Sequence, residues 1–202
     1  MSKIREENAN RIILASASPR RSDLLKQAGI PFLVVPGEVN EESLNLEGEP
    51  EKQAEKSALI KALDVAEKFG TGLVLGADTI VVFDNQIYGK PGDKKHAYNM
   101  LKSLQGRIHH VITGIAIVDA STGVYKTAHE KTSVYFTSLN DDEIWSYINS
   151  GEPFGKAGAY AIQGKGALFV EKIDGCYTNV VGLPLLRVKK LLEEFCLKYR
   201  NL

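Results

Sequence analysis

Residues 12–29 read IILASASPRRSDLLKQAG. Ile12 to Ala15 is a short apolar run that reads as a buried strand. Ser18 is a favoured helix N-cap, and Pro19 fits the first helical position, where its missing N–H costs nothing. Leu24, Leu25 and Ala28 then supply an apolar face, and Gly29 is a stop at the C′ position. A strand that turns within three residues into a helix opens an α/β layer architecture. It also sets Arg20 and Arg21 in the first helical turn. There the positive end of the helix dipole makes each cation unfavourable by about 0.3–1 kcal/mol. The same end is a ready anion site. Free N–H groups, the Ser16 and Ser18 hydroxyls and the two guanidinium forks would act together on a phosphate-like ligand. The plainer alternative is that Ser18 only caps the helix and both arginines are solvated.

Outward from this segment, Phe32 to Val35 reads as a second strand, followed by the acidic loop GEVNEESLNLEGEP. From Pro50 to Phe69 the spacing of Ala54, Ala58, Leu59, Ala62, Leu63, Ala66 and Phe69 predicts a helix, with Gly70 after it. LVLGADTIVVF (73–83) is an apolar, β-rich run. Asp84-Asn85 turns it into a short return strand around Ile87-Tyr88. Asp93 caps a helix to about Leu104. Two long strands flank a turn at Ser121 to Gly123. Asn140 caps a helix over DDEIWSYIN, ended by Gly151, and a glycine-rich stretch, GKAGAYAIQGKGALF, follows. The last helix starts near Pro184, with Leu185, Leu186, Val188, Leu191, Leu192 and Phe195 on one face. Helices alternate with strands but hairpins also occur, so the expectation is α/β with a mixed sheet. One domain over 1–202 accounts for the length, with polar residues 1–10 as a flexible N-terminus.

The chain has 25 basic and 25 acidic residues and no formal net charge. A protein that tracks a nucleic-acid polymer carries a basic excess, so that class is excluded as an expectation. Cys176 and Cys196 form no C-x-x-C pair, which points to a reducing, cytoplasmic setting. The N-terminus MSKIREENAN lacks the apolar core of a signal peptide. No apolar run approaches the roughly 18 residues that cross a bilayer, so no membrane partner is expected.

Asp78 lies among apolar residues in LVLGADTIVVF, where a carboxylate is costly to bury unless it is paired or binds a metal. Gly76 and Ala77 leave room for a ligand to approach, although Asp78 could also begin a loop and bond its own backbone. Glu38, Glu41 and Glu42 belong to the acidic loop, and a solvated loop is the plain reading of each. One of them folded beside Asp78 would complete a carboxylate pair suited to Mg²⁺, with phosphates and waters as further ligands. Lys90, between Gly89 and Pro91, and Lys61, in the long helix, are candidate point charges for phosphate, with surface lysines as the alternative. Gln163 is an amide in a glycine-flanked apolar stretch. It can donate and accept, as a base edge requires, or it is simply a satisfied strand residue. No Walker A loop, dinucleotide fingerprint, H-E-x-x-H or G-x-S-x-G occurs. His109 and His110 are adjacent and would face opposite sides of a strand, which spoils them as joint metal ligands.

Taken in order, LASASPRR, the V-N-E of Val39 to Glu41, LIKA, GADTIVV, GKPGD, AYNMLKSLQGRIHHVITG, KAGAYAIQGKGALFV and VVGLPL resemble the Maf family of nucleoside triphosphate pyrophosphatases. The resemblance spans about Ile12 to Phe195. It implies an elongated, mixed and twisted sheet with flanking helices and a cleft between two lobes. It also implies hydrolysis of the α–β phosphoanhydride of a nucleoside triphosphate with Mg²⁺, or alternatively Mn²⁺. Matched motif to motif, the catalytic aspartate falls on Asp78. The metal ligands fall on Asp78 and Glu41. The phosphate-binding groups fall on Ser16, Arg20, Arg21, Lys61 and Lys90.

One branch of the family acts on dTTP and UTP, and its specificity positions carry Arg, Thr and Gln. They fall on Arg20, Thr79 and Gln163, and all three match. A 7-methyl-GTP branch, with a bulky aromatic and a glutamine at the first two positions, does not match. Asn40 departs from a common aspartate. The resemblance also implies a homodimer. The alternatives are a purine or 7-methyl-GTP pyrophosphatase, and a nucleotide-binding regulator of cell division that does not depend on catalysis.

Overall fold

The computed structural model describes residues 12–39, 44 and 46–195. The expectations for residues 1–10, Asn40, Glu41 and Glu42 lie outside them. The chain runs β1 (Ile12–Leu14), α1 (Pro19–Gln27), β2 (Phe32–Val34), α2 (Pro50–Phe69), β3 (Leu73–Phe83), β4 (Gln86–Tyr88) and α3 (Lys94–Leu104). It continues β5 (Ile108–Asp119), β6 (Tyr125–Phe136), α4 (Asp141–Asn149), β7 (Val170–Asp174), α5 (Tyr177–Val181) and α6 (Leu185–Phe195). Two 3₁₀ turns, Ala157–Ala159 and Gly164–Phe169, lie between α4 and β7.

The strands form one seven-stranded mixed sheet in the order β2-β1-β3-β5-β6-β7, with β4 paired to β3. β1 is parallel to β2 and to β3, and α1 and α2 are the crossovers that such parallel connections need. β4 pairs antiparallel with β3 through the turn at Asp84 and Asn85, whose φ angles of 48° and 60° are those of a tight type I′ hairpin. β7 pairs antiparallel with β6. No helix among the described residues is long and apolar enough to cross a membrane.

Residue contacts divide the chain into two compact units. The first holds residues 12–78, 113–130 and 182–195 of the described chain. Here α2 seats directly on strand backbone. A Cβ at Gly76 would lie 2.1 Å from the Ala58 carbonyl oxygen, and one at Gly114 would lie 2.2 Å from the Ala54 carbonyl. Ala54, Ala58 and Ala62 are fully buried at this contact. The alanine spacing that predicts the helix is therefore the condition for its close approach to the sheet.

The second unit holds residues 79–112 and 131–181. Its core contains an aromatic cluster, with Phe136 edge-on to His109, Tyr160 and Phe169. α3 is capped by Asp93, which accepts from the His96 N–H. α4 carries a full capping box between Asn140 and Glu143.

The structure corrects the sequence reading at several points. Leu186 is 63% exposed and leaves the apolar face of α6. It precedes the buried Val188 by two residues, about 200° around a helix, so it points the other way. Ala28 is exposed because it is the C-cap of α1 and not a core position. Strand β7, helix α5 and the 3₁₀ turns carry neither period 2 nor period 3.6 and emerge only in three dimensions.

Candidate active site

Register places Leu14 beside Leu75 in the parallel β1–β3 pair. The chain beyond Leu14 therefore emerges at the carboxyl end of β1, where open α/β sheets gather ligands, while β3 runs on past Leu75 and carries Asp78 beyond that end. Ala15 still bonds β3 through the Leu75 carbonyl at 2.9 Å. Ser16 follows, buried, with its N–H turned back on the Leu14 carbonyl at 2.9 Å. Its Oγ accepts from the Ser18 N–H at 3.2 Å and from Arg21 Nη1 at 3.0 Å. Both contacts use oxygen lone pairs, so the hydroxyl proton remains a donor.

Arg21 has a second anchor. Its Nε donates to the Gly182 carbonyl at 2.9 Å, across 161 residues of chain. The guanidinium thus ties the β1–α1 turn to the VVGLPL segment and shapes the loop as well as charging it. Ser18 occupies the N-cap of α1, but its hydroxyl makes no capping bond. No side-chain cap closes the helix end, which carries Arg20 half-buried in its first turn. Sequence reading missed the Gly182 carbonyl, because a backbone acceptor leaves no residue-type signal.

The second cluster is an ion pair. Lys61 Nζ lies 2.5 Å from Asp78 Oδ1, with the two side chains only 10% and 18% exposed. Seventeen residues separate them, and α2 brings them together through its seat on Gly76, two residues before Asp78. A near-buried lysine is costly without a partner, so each charge stabilises the other. Lys61 covers Oδ1 of Asp78. Oδ2 makes no hydrogen bond to another described residue, and it is a hard oxygen donor of the type Mg²⁺ accepts from one or two carboxylates. Asp78 therefore fits a share of a Mg²⁺ site.

Glu41 lies outside the described residues. Glu38 pairs with Lys68 at 3.1 Å, and its N–H donates to Asp64 at 2.9 Å, so it is committed to α2 and not to Asp78. Among the described residues no group of three His, Cys, Asp or Glu side chains could hold a metal.

In the second unit, Thr79 follows Asp78 on β3, half-buried, its side chain turned to the opposite face of the strand. Lys90 is exposed beside a buried Pro91. The Gly158 N–H donates to the Gly89 carbonyl at 3.1 Å, tying the first 3₁₀ turn to the Lys90 turn. Gln163 is exposed and is not a strand residue. It is the N-cap residue of the turn Gly164–Phe169, and its side chain makes no capping bond.

The model of the family described as Maf-like protein matches residues 11–195. A dTTP/UTP pyrophosphatase of Ruminiclostridium cellulolyticum is 54% identical over 183 residues, covering 91% of this chain and 95% of that one. A dTTP/UTP pyrophosphatase of Pelotomaculum thermopropionicum is 48% identical, covering 91% and 96%. One of Carboxydothermus hydrogenoformans is 49% identical, covering 92% and 98%. A solved HAM1 protein from Coxiella burnetii matches with a TM-score of 0.42 and 16% identity, covering 62% of this chain and 72% of that one, too remote a likeness to argue from.

Proposed function

This chain belongs to the Maf family, and on that premise we propose that it is a dTTP/UTP pyrophosphatase, a hydrolase that converts these nucleotides to the monophosphate and pyrophosphate. The observation that carries the chemistry is the Lys61–Asp78 pair, on the stretch of β3 that runs on past its parallel pairing with β1. The base preference is supported by relatives about 50% identical over nearly their full length, each named for dTTP and UTP.

In the reaction, a water oxygen forms a bond to the α-phosphorus as the α–β bridging P–O bond breaks. Pyrophosphate leaves with the electron pair. Asp78 orients the water and accepts its proton, and Lys61 fixes the carboxylate that does so. Ser16, Arg20, Arg21, Lys61 and Lys90 hold the triphosphate and spread its charge, which is electrostatic stabilisation and positioning. Arg20, Thr79 and Gln163 select the pyrimidine, the Gln163 amide matching the donor and acceptor at N3 and O4. Asp78 with Glu41 would hold Mg²⁺, or alternatively Mn²⁺, which supplies charge neutralisation on the phosphates. The enzyme acts in the cytoplasm on free nucleotides and not on a nucleic-acid polymer, and it works as a homodimer.

The test is pyrophosphate release by the purified protein with Mg²⁺, and again with EDTA, across dTTP, UTP, CTP, dATP, GTP, ITP and 7-methyl-GTP. Selective, EDTA-sensitive turnover of dTTP and UTP is expected. Turnover of purines alone would keep Asp78 and overturn the roles of Arg20, Thr79 and Gln163. No turnover in a folded protein would favour a regulator that only binds nucleotide.

A further inference from the structure

Gln163 is exposed, and its amide makes no hydrogen bond to another described residue. Its position is set by the backbone on either side, and Glu152 and Tyr147 hold that backbone. Glu152, just after the Gly151 stop of α4, turns its carboxylate onto the start of the second 3₁₀ turn. Oε1 accepts from the Gly166 N–H at 3.0 Å and Oε2 from the Lys165 N–H at 3.1 Å. The Tyr147 hydroxyl donates to Oε1 at 3.0 Å and accepts from the Ala161 N–H at 3.2 Å. One carboxylate and one phenol therefore grip backbone N–H groups at 161, 165 and 166, on both sides of Gln163.

The local sequence is shaped to this grip. Gly164 has φ +75°, and a Cβ there would lie 2.8 Å from Glu152 Oε2. A Cβ at Gly166 would lie 2.3 Å from the Ala161 carbonyl oxygen. The G-K-G that follows Gln163 is thus what lets the chain close around the carboxylate. Tyr147 is itself fixed by edge-on packing against Phe169, with ring centroids 4.8 Å apart.

We propose that Glu152, acting with Tyr147, is a specificity-positioning residue. It holds residues 161–166 so that the Gln163 amide meets a nucleobase edge in one orientation. The inference rests on the reading of Gln163 as a base-selecting group. An amide that only accepts or donates in a fixed place discriminates between bases, whereas the same amide on a loose loop rotates to suit any of them.

Glu152→Gln removes the charge and puts an amide NH₂ in place of one of the two accepting oxygens, against a backbone N–H donor, which loosens the grip with almost no change in volume. Tyr147→Phe removes the bridge to Ala161 and keeps the ring, and it serves if Glu152→Gln does not fold. The experiment measures kcat and KM for dTTP, UTP, CTP and GTP, together with amide hydrogen exchange at Lys165 and Gly166. In either variant the ratio of kcat/KM for dTTP over CTP should fall roughly 10-fold, the scale of losing a hydrogen bond to a charged group. The effect should come mainly through KM for dTTP and UTP, with kcat on dTTP changed less than about 3-fold. Exchange at both amides should rise in Glu152→Gln.

Gln163→Ala, and its combination with Glu152→Gln, separates this inference from the reading beneath it. If Glu152 acts through Gln163, the double variant loses no more selectivity than Gln163→Ala alone. Relaxed selectivity in Gln163→Ala with full selectivity in Glu152→Gln and Tyr147→Phe overturns the positioning role and leaves the base-reading role standing. Full selectivity in Gln163→Ala overturns the base-reading role. An equal loss on all four nucleotides would make Glu152 a structural residue only.

Discussion

Asp78 and Lys61 hold each other in place, and the chemistry proposed for them can be separated from that structural task. Lys61 holds one carboxylate oxygen of Asp78 at 2.5 Å, and the other makes no hydrogen bond to another described residue. Asp78→Asn keeps the shape and a hydrogen bond to Lys61 but removes the negative charge. Pyrophosphate release from dTTP should drop by about 10²–10⁴-fold, the range for loss of a positioned base. Thermal unfolding should show a loss of roughly 1–3 kcal/mol, because Lys61 keeps a neutral partner. Turnover near that of the unmodified protein would remove Asp78 from the chemistry. Arg21 shows the same double use. Anchored to Ser16 and Gly182, it is part of the wall of its loop as well as a cation in it.

At the scale of elements, α2 decides where Lys61 stands. Its alanine face lies against Gly76 and Gly114, and neither site has space for even a methyl group. Gly114→Ala would set a Cβ 2.2 Å from the Ala54 carbonyl, so helix or strand must shift. Overpacking of this kind is destabilising by about 1–3 kcal/mol. The shift should also draw Lys61 from Asp78, so that kcat falls along with stability. Gly92→Ala is the control, with nothing within 4 Å of its added methyl. Its denaturation midpoint should match that of the unmodified protein. Equal stability and activity in Gly114→Ala would show that the seat of α2 does not place Lys61.

At the scale of the whole molecule, acid should undo the fold through two buried groups. Burial, and then the charge of His110, pull His109 down to about 3 from the ordinary 6.5. It is neutral in the core, with Nε2 2.8 Å from the Tyr160 hydroxyl. The unfolded chain binds a proton there below about pH 6.5 and the folded chain does not. Stability is therefore complete above that pH and falls by up to about 1.4 kcal/mol per unit as pH drops toward 3.

Glu55 adds a later loss. Burial alone would raise its carboxyl, but hydrogen bonds from His129, Lys52 and Thr127 and the Lys52 charge hold it below the ordinary 4.5. A depressed carboxylate contributes above its unfolded value and loses that contribution as pH falls through the lower folded one. Denaturant unfolding from pH 7 to pH 4 should show the first slope, and His109→Gln should flatten it. An unchanged slope in that variant would assign the acid limb to other groups.

What the amino-acid sequence determined by itself is the local structure. Pro50–Phe69, Leu73–Phe83, Lys94–Leu104 and Asp141–Asn149 begin and end where caps, glycines and apolar period say they should. Those signals act within a turn or two of backbone, so a short window contains their whole cause. The chemistry-bearing residue types were legible in the same way, Asp78 in an apolar run and the arginines at a helix start. Only the tertiary structure decided what each of them touches. Lys61 meets Asp78 across two elements, and Arg21 meets a carbonyl 161 residues away. Glu152, in sequence no different from a surface glutamate, closes on the turn that carries Gln163. Such contacts depend on how closely helices and turns approach the strands, and that distance is set by glycine and alanine packing on a sheet whose order no local signal encodes.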